Sequence, residues 1–321
     1  MLTACHDAGT APAQSTRGGP FDAFWSAYDQ TYPYFEYKAV DWNAARDRYR
    51  AAAVAAPTTD SLVQVLRAMV APLNDGHIAF ISPSGTFLQA YTPRGRPNFE
   101  SARWNATVTA AGWTQLKPNL GYAKFGDVGY ITVGSWNSSQ FAQADLDAAL
   151  DAVRGSRALI VDVRANGGGN DALAFLFAAR FSSSTIAAGS VRYRSGRGLG
   201  APIVRTIPAR GPWTWTAPVV LLIGRQGFSS NESFIAALAT LPHVTTLGDT
   251  TGGGSGNPET RPLGGGWSYR LPRWIEYAPD GHVVEWNGVA PAVVVPYDTA
   301  GRPVGEDPII RAARVRLGQV P

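Results

Sequence analysis

The sequence predicts an α/β layered core that is preceded by a smaller helical part. From Gly121 onward, strand-like and helix-like segments alternate along the chain, and such alternation is typical of a layered α/β domain. Before that point, apolar residues recur mainly at helical spacing. With 321 residues, of which 45% are apolar and 16% charged, the chain can form one large domain or two smaller ones with hydrophobic cores.

The first 20 residues are rich in Ala, Gly, Ser and Thr, and we interpret residues 1–20 as a flexible tether. Cys5 is the only cysteine, which excludes an intrachain disulfide and a cysteine metal cluster. The opening Met-Leu-Thr-Ala-Cys matches the end of a bacterial lipoprotein signal, although the charged and apolar regions of a signal peptide are missing. An exported, periplasmic or membrane-anchored lipoprotein with lipid on Cys5 is therefore one expectation, and a cytoplasmic protein is the alternative.

Residues 21–81 are predicted to form a helical subdomain. Its clearest helix starts at Thr59 and Asp60 and ends at residues 74–76, and its apolar residues fall on one face. Residues 82–118 lack periodicity and are rich in Pro, Gly and Asn, which indicates a connector with one or two strands. The apolar face of the helix consists of Leu62, Val65, Leu66, Met69, Val70 and Leu73.

Residues 119–321 are predicted to form the α/β core. Ala158–Val163 and Pro218–Ile223 are almost uninterrupted apolar runs, which is typical of strands buried on both faces. Further predicted strands are Tyr130–Val133 and Val244–Leu247, and predicted helices cover residues 146–153 and 234–238.

Composition argues against several classes of function. The net charge is +4 and the arginines are scattered, so the sequence does not predict nucleic-acid binding. No window of about 18 uninterrupted apolar residues occurs, so no membrane-spanning segment is predicted. No residues with metal-ligand spacing are visible, and neither a metal nor an organic cofactor is expected.

Two serines stand where the helix after strand 218–223 begins. Ser229 and Ser230 follow a glycine-bearing turn, and the helix dipole and free backbone N–H groups there favour a developing negative charge. These surroundings suit the nucleophile of an acyl transfer. A serine at this place also serves as a helix cap, and the segment alone favours the cap over the nucleophile.

Three consecutive glycines follow the other buried strand, in the sequence Asp-Val-Arg-Ala-Asn-Gly-Gly-Gly-Asn of residues 162–170. Glycines cost backbone entropy, but their N–H groups can approach a ligand closely. An oxyanion hole is one interpretation and a flexible turn is another. A phosphate-binding loop is poorly supported, because the spacing fits neither Gly-x-Gly-x-x-Gly nor a Walker loop with its lysine.

A serine nucleophile needs a base, and the chain offers four histidines. His6 lies in the tether, His243 follows a helix end, and His282 lies in a predicted hairpin turn. His77 comes directly after the end of a predicted helix, where its side chain can reach a cleft between the two parts. By elimination, His77 is the best candidate for the base.

In this order and spacing, the segments resemble the C-terminal-processing, or tail-specific, proteases, in the branch with the tricorn core and the interphotoreceptor retinoid-binding proteins. The resemblance extends from about Phe21 to Pro296. It implies a core like that of the ClpP and crotonase folds, built of stacked β-β-α units. The matching segments are residues 40–42, 73–77, 129–133, 162–169, 229–232, 248–253 and 285–289.

The resemblance also implies roles for individual residues. The family's nucleophile corresponds to Ser229, its base to His77, and the glutamate that orients the base to Glu285. In the tricorn-like branch a serine precedes the histidine, whereas Gly76 does here, so a water molecule is expected to replace that hydroxyl. The oxyanion donors correspond to the backbone N–H groups of Ser230 and of Gly167 or Gly168.

The chain departs from the bacterial processing proteases in two further ways. Their serine is activated by a lysine, but Gly254 stands at the corresponding position and no lysine follows Lys124. They also insert a PDZ domain, whereas only about 40 residues separate His77 from Gly121. A Ser–Lys dyad of that type and a tethered PDZ domain are therefore not expected.

The resemblance thus implies a serine-type peptidase that hydrolyses peptides or unfolded proteins through an acyl-enzyme. One alternative is a non-catalytic binder of apolar ligands on the same fold, like the retinoid-binding relatives, and another is an esterase-like acyl hydrolase. The presence of both Ser229 and His77 favours an enzyme. Membrane attachment is expected only through a lipidated Cys5.

Overall fold

The computed structural model describes residues 19–92, 95–299 and 305–319. Cys5 and most of the predicted tether lie outside the described residues, so lipidation and export stay predictions. Within the described ranges, no helix combines the length and the apolar character that crossing a bilayer requires.

The described residues form eight α-helices and fifteen β-strands. The helices are α1 (Gly19–Thr31), α2 (Trp42–Ala55), α3 (Thr59–Val70), α4 (Ser101–Ala110), α5 (Gln143–Ala152), α6 (Asp171–Ala178), α7 (Ser230–Leu238) and α8 (Pro308–Arg316). The strands are β1 (Ala79–Ile81), β2 (Phe87–Gln89), β3 (Thr114–Lys117), β4 (Leu120–Phe125), β5 (Val128–Val133), β6 (Ala158–Asp162), β7 (Ile186–Ser195), β8 (Gly198–Leu199), β9 (Ile203–Ile207), β10 (Val219–Ile223), β11 (Val244–Gly248), β12 (Glu259–Gly264), β13 (Trp267–Leu271), β14 (Trp274–Tyr277) and β15 (Val293–Val294).

A seven-stranded sheet forms the centre of the predicted core, in the order β15-β11-β10-β6-β5-β4-β3. Strands β15 to β5 are parallel, and β4 and β3 extend the sheet antiparallel. Every residue of β6 and β10 is buried, and each buried Val, Leu or Ile contributes about 1.5–3 kcal/mol. The prediction of an α/β core with these two central strands is confirmed.

Helices cover both faces of this sheet. Successive strand residues point to opposite faces, so Leu159 and Val161 of β6 pack with residues of α5, α6 and α7, while Ile160 packs with residues of α4 and α8. Because β6 and β10 are parallel neighbours, their carboxyl ends lie at the same edge of the sheet. The loops before α6 and α7 therefore start side by side.

A second sheet joins distant parts of the chain in the order β12-β13-β1-β2. Strand β1 lies just after His77 and pairs antiparallel with β13, which lies almost 200 residues later. Helices α1 to α3 pack against this sheet, as in the contact of the Phe24 and Tyr269 rings at 4.7 Å. The predicted helical subdomain thus shares its core with a hairpin from the predicted α/β region. A third, smaller sheet contains β14, β7 and β8, with β9 paired to β7.

The predicted connector, residues 82–118, contains β2 and β3 but also helix α4. The buried residues of α4 are Arg103, Thr107 and Val108. Because two of these three side chains are polar, hydrophobic periodicity does not reveal the helix. Strand β3 pairs with β4, so the large sheet begins a few residues before residue 119.

Candidate active site

Ser229 lies at the N-terminus of α7, in the turn that follows β10. Its backbone has φ 59° and ψ −133°, a region that costs a residue with a side chain about 1–3 kcal/mol. The surrounding loops fix this conformation, because the Ser229 N–H donates to the Gly254 carbonyl at 3.0 Å and to Glu232 Oε2 at 3.1 Å. Such strain is common where a side chain must be presented for a function.

Glu232 ties the Ser229 turn to the loop at residues 252–254. Its buried carboxylate accepts hydrogen bonds from the Thr251 hydroxyl and from the N–H groups of Gly253 and Gly254, at 2.9 and 2.8 Å for the two glycines. Burial nevertheless raises the pKa of Glu232 to about 8. Glu232 thus holds the shape of the turn and does not face the cleft.

His77 reaches Ser229 from the other sheet. The chain leaves α3 through a 3₁₀ turn at residues 71–73 and a left-handed Asn74 with φ 45°, a conformation that Asn tolerates well. This reversal brings His77 Nε2 to 3.0 Å from Ser229 Oγ, although 152 residues separate the two along the chain. The His77 ring stacks on Phe228 with 4.6 Å between centroids.

The environment of His77 favours the neutral imidazole. Its side chain is 4% exposed, and burial lowers its pKa to about 4, with smaller contributions from nearby charges. A neutral imidazole can accept a proton at Nε2 when its hydrogen is on Nδ1. The structure thus places the Ser229 hydroxyl beside an imidazole that can accept a proton at neutral pH.

Three buried charged residues lie behind His77, and we call Lys38, Asp75 and Glu285 the base cluster. The Lys38 ammonium contacts Glu285 Oε1 and lies 3.4 Å from Asp75 Oδ2. The Tyr32 hydroxyl donates to the same Asp75 oxygen at 2.9 Å, and the Ser255 N–H donates to Glu285 Oε2 at 3.0 Å. One buried ammonium group therefore pairs with two buried carboxylates.

The Nδ1 atom of His77 faces this cluster but makes no hydrogen bond to the described residues. The nearest acid is Asp75, whose Oδ1 lies 3.9 Å away and accepts the His77 backbone N–H at 2.9 Å. The predicted orienting residue, Glu285, lies within 4.8 Å of both. Both distances exceed a direct hydrogen bond, although catalytic hydrogen bonds are often long in ligand-free structures.

Asp75 was not among the residues that the sequence predicted for the site. The sequence contains a signal for this residue, because Asp75 precedes His77 by two residues in the same helix-ending turn. So short a separation brings both side chains near the same site. The ligand atoms of Asp75, His77 and Glu285 all lie within 4.8 Å of one another, a spacing that could hold a metal ion. The Lys38 ammonium already supplies positive charge to both carboxylates there.

The glycine loop after β6 lies against the Ser229 turn. A Cβ atom on Gly168 would come within 2.7 Å of the Phe228 carbonyl oxygen and 2.8 Å of Ser229 Cβ, and its φ is +99°, so only glycine fits. The Gly168 N–H donates to Asn166 Oδ1 at 2.8 Å. The N–H groups of Gly167 and Ser230 donate to no other described residue. Of the two glycines that the sequence left open, Gly167 has the free donor.

A second buried ion cluster supports this loop, and we call Asp162, Arg164 and Asp307 the core cluster. Arg164 Nη2 lies 2.7 Å from Asp162 Oδ2 and 3.0 Å from Asp307 Oδ2. Further bonds from Arg164 Nε and Nη1 complete two-pronged contacts with both carboxylates. The loop before α6 is thereby fixed to the sheet and to α8.

Ser229 and His77 open onto a cleft of about 680 Å³ between the two sheets. The nucleophile turn forms its floor, the second sheet and its loops form one wall, and the glycine loop forms the other. Most lining groups are polar side chains or glycines. The lining residues are Gly76, His77, Gln89, Ser135, Asn137, Ser138, Gly167, Gly168, Gly169, Asn170, Phe228, Ser229, Asn257, Pro258 and Arg270.

Position 254, where the resemblance places the lysine of the bacterial processing proteases, cannot hold a side chain in this structure. A Cβ atom on Gly254 would lie 1.9 Å from the ring of Phe228. The same ring stacks on His77. Phe228 therefore fills the space beside the serine from which a lysine would act.

Comparisons with known proteins identify the family to which the chain belongs. The sequence model of peptidase family S41 matches residues 127–295, slightly more than half of the chain. The chain belongs to peptidase family S41. It is accordingly a serine-type peptidase, as the sequence analysis expected. The model of the tricorn protease C1 domain matches residues 16–71, which agrees with the expected tricorn-like branch.

Solved structures agree with the S41 assignment. A protein of Parabacteroides merdae described as a candidate peptidase has a TM-score of 0.80 and 27% identity, over 95% of this chain and 97% of that chain. A lipoprotein from Streptococcus agalactiae has a TM-score of 0.64 and 15% identity, over 98% of this chain and 100% of that chain. The photosystem II D1 C-terminal processing protease has a TM-score of 0.57 and 16% identity, over 93% of this chain and 97% of that chain. No curated protein sequence matches the chain significantly.

The fold expected from the resemblance is confirmed by these structures. Between His77 and Gly121 the described residues of this S41 member form β1, β2, α4 and β3. Those elements do not make up a PDZ domain, and the sequence likewise does not predict one.

Proposed function

We propose that this S41 member hydrolyses peptide bonds through an acyl-enzyme, with Ser229 as the nucleophile and His77 as the general base. The observation that carries the proposal is the 3.0 Å distance between His77 Nε2 and Ser229 Oγ. It is supported by the strained backbone of Ser229 and by the neutral, buried imidazole.

In the first step, Ser229 Oγ attacks the carbonyl carbon of the scissile bond while its proton moves to His77 Nε2. The oxyanion that forms accepts hydrogen bonds from the N–H groups of Gly167 and Ser230, which have no other partner among the described residues. The imidazolium then gives the proton to the leaving amine. Water, deprotonated by the same imidazole, hydrolyses the ester and restores Ser229.

The base cluster stabilises the imidazolium in this scheme. The charge of Asp75 already raises the pKa of His77 against the effect of burial, and Glu285 adds a second carboxylate within 4.8 Å. A proton on Nδ1 faces the charge of Asp75, which favours the tautomer that leaves Nε2 free to act as a base. The role of Glu285 expected from the resemblance is retained, and Asp75 shares it.

The substrate in this proposal is a peptide or an unfolded segment of a protein, because the cleft lies open between two sheets and is lined by polar groups. The same polar lining does not suit the alternative of an apolar-ligand binder. One structural neighbour is a lipoprotein, and we include export with lipid on Cys5 in the proposal. Mass spectrometry of the native N-terminus tests that part.

Covalent labelling with a fluorophosphonate probe tests the mechanism. We expect rapid labelling of the wild type, with the adduct mapped by peptide mass spectrometry to Ser229 and not to Ser230. The substitutions Ser229→Ala and His77→Ala should each abolish labelling or lower its rate at least about hundredfold. His282→Ala is the matched control, because His282 bonds to Asp280 and the Gly288 carbonyl, away from the cleft, and it should label normally.

Two outcomes would contradict the mechanism. An adduct on Ser230 would make Ser229 a helix cap, and unchanged labelling of a folded His77→Ala variant would require another base. An unlabelled but folded wild type, with probe access confirmed, would return the apolar-ligand binder as the better hypothesis.

A further inference from the structure

Arg270 projects into the catalytic cleft from β13. In this strand Trp267, Tyr269 and Leu271 are buried against the aromatic core, so the alternate residues point to the opposite face. The pairing of Phe80 with Tyr269 places Arg270 beside the start of β1, two residues after His77. The guanidinium thus lies on the same cleft wall as the base.

The side chain of Arg270 has no ionic partner in the part of the chain that the structure describes. Other arginines of the same hairpin are paired, because Arg261 and Arg273 both contact Glu259. Among the arginines in the described ranges that make no hydrogen bond or salt bridge, Arg270 is the only one that is partly buried, and the others are exposed. A partly desolvated guanidinium with five free donors is costly unless a ligand completes it.

The charge balance of the cleft points to an anionic ligand. No Asp or Glu is among the described residues that line the cleft, and His77 is neutral, so Arg270 carries the only formal charge among them. The negative charge of Asp75 acts on Arg270, but this carboxylate already binds Tyr32, Lys38 and the His77 backbone. Arginine keeps its charge even when burial lowers its pKa.

We infer that Arg270 is a specificity residue that binds a carboxylate of the peptide substrate, either an Asp or Glu side chain near the scissile bond or the terminal carboxylate. The inference rests on the proposed function only in taking the ligand to be a peptide. A planar guanidinium matches a carboxylate with two parallel N–H···O bonds. Such a contact in a partly buried cleft gives a preference of about tenfold over a neutral ligand.

Binding to a Ser229→Ala background tests this without requiring turnover. The probes are fluorescein-labelled Ala-rich hexapeptides with a single Glu or Gln placed at each position in turn, each made with a free and an amidated C-terminus. Fluorescence polarisation gives the Kd for each member. The Glu/Gln arm reports a side-chain carboxylate, and the acid/amide arm reports the terminal one.

We expect one arm to show a preference of about tenfold for the carboxylate form, which disappears in Arg270→Gln. Arg261→Gln is the matched control, since it removes the same charge from the same hairpin outside the cleft, and it should keep the preference. Arg270→Glu should reverse the choice toward a peptide with Lys at that position. Absence of a carboxylate preference, its persistence in Arg270→Gln, or failure of every carboxylate peptide to bind would overturn the inference.

A parallel fluorophosphonate measurement separates this result from the mechanism. Arg270→Gln with Ser229 intact should still label at Ser229, because the guanidinium does not contact the reacting atoms, and its pH profile should move upward because the charge of Arg270 lowers the pKa of His77. If the wild type does not label, the proposed mechanism fails while the binding data still decide the role of Arg270. If Arg270→Gln is folded but does not label, Arg270 supports the nucleophile and the specificity role is wrong.

Discussion

The base cluster and the core cluster have the same formal composition in two regions of the molecule. Each contains one buried cation between two buried carboxylates, with a tyrosine hydroxyl that donates to one of them. Each also lies behind one of the two loops that meet in the cleft. The core cluster supports the glycine loop, and the base cluster lies behind His77.

The two clusters differ in how completely their hydrogen bonds are satisfied. In the core cluster, the fork of Arg164 contacts both carboxylates in pairs, and Asp307 also caps α8. In the base cluster, Lys38 is a compact charge without that geometry, and the described residues offer no hydrogen-bond partner to the neighbouring His77 Nδ1. Burial and the charge of Asp75 raise the pKa of Glu285.

This difference separates structural from catalytic use of the same residue types. A closed cluster has no capacity for another charge, and it holds a loop in place. The open cluster leaves Asp75 next to a neutral imidazole, so it can stabilise the positive charge that the proposed mechanism places on His77. Substitutions of carboxylates in the core cluster should therefore change stability, whereas those in the base cluster should change the labelling rate of Ser229.

The largest expected effect is on stability, from removing either cation. Arg164→Met should lower the free energy of unfolding at pH 7 by about 3–5 kcal/mol, because two buried carboxylates lose their partner. Lys38→Met should cost less at pH 7 than at pH 9. Burial raises the pKa of Glu285 to about 8 in the folded protein, and Lys38 lowers it, so the variant needs the Glu285 proton at a pH where the wild type does not, and that proton is taken up more easily as the pH falls.

Urea unfolding of both variants at pH 7 and pH 9 measures these costs. The wild type at each pH is the reference, so that other titrating groups cancel. An equal loss for Lys38→Met at both values would mean that the base cluster is as closed as the core cluster.

The next effect is on catalysis, from removing single carboxylates of the base cluster. Asp75→Asn should lower the labelling rate of Ser229 about hundredfold, because Asp75 is the acid nearest to His77 Nδ1. Glu285→Gln should have a smaller effect, about tenfold, because Glu285 is more distant and also bound to Lys38. Asp307→Asn is the matched control from the core cluster.

The rate per folded molecule decides this comparison, with the folded fraction taken from circular dichroism. Asp307→Asn should lose stability but keep its labelling rate. A larger loss for Glu285→Gln than for Asp75→Asn would make Glu285 the principal orienting residue, as the resemblance alone implies.

The sequence predicts the region around Ser229 better than the region around His77. The strands 158–163 and 218–223 and the loops after them are local patterns, and the neighbouring parallel strands bring those loops together. The contact of Lys38 with Glu285 spans 247 residues and depends on a sheet that joins β1 to β13. No local periodicity encodes that pairing.

Single residues show the same limit. Asp75 looks like part of a helix-ending turn, and its second role appears only when Lys38 and Tyr32 are brought to it. Arg270 looks like one of many scattered arginines until its strand is placed beside the cleft. Helix α4 escapes prediction because buried Arg103 and Thr107 break its apolar face.

In the proposed mechanism His77 acts on Ser229 as a neutral, buried base. The pH dependence of fluorophosphonate labelling measures the protonation state of this base directly. Only the neutral imidazole can accept the proton, so the rate should fall as the pH falls through the pKa of His77, which burial lowers to about 4. We predict a constant rate between pH 5 and 7 and half the maximal rate near pH 4, with circular dichroism confirming the fold at each point. Half the maximal rate near pH 6.5, the value of an exposed histidine, would contradict the account.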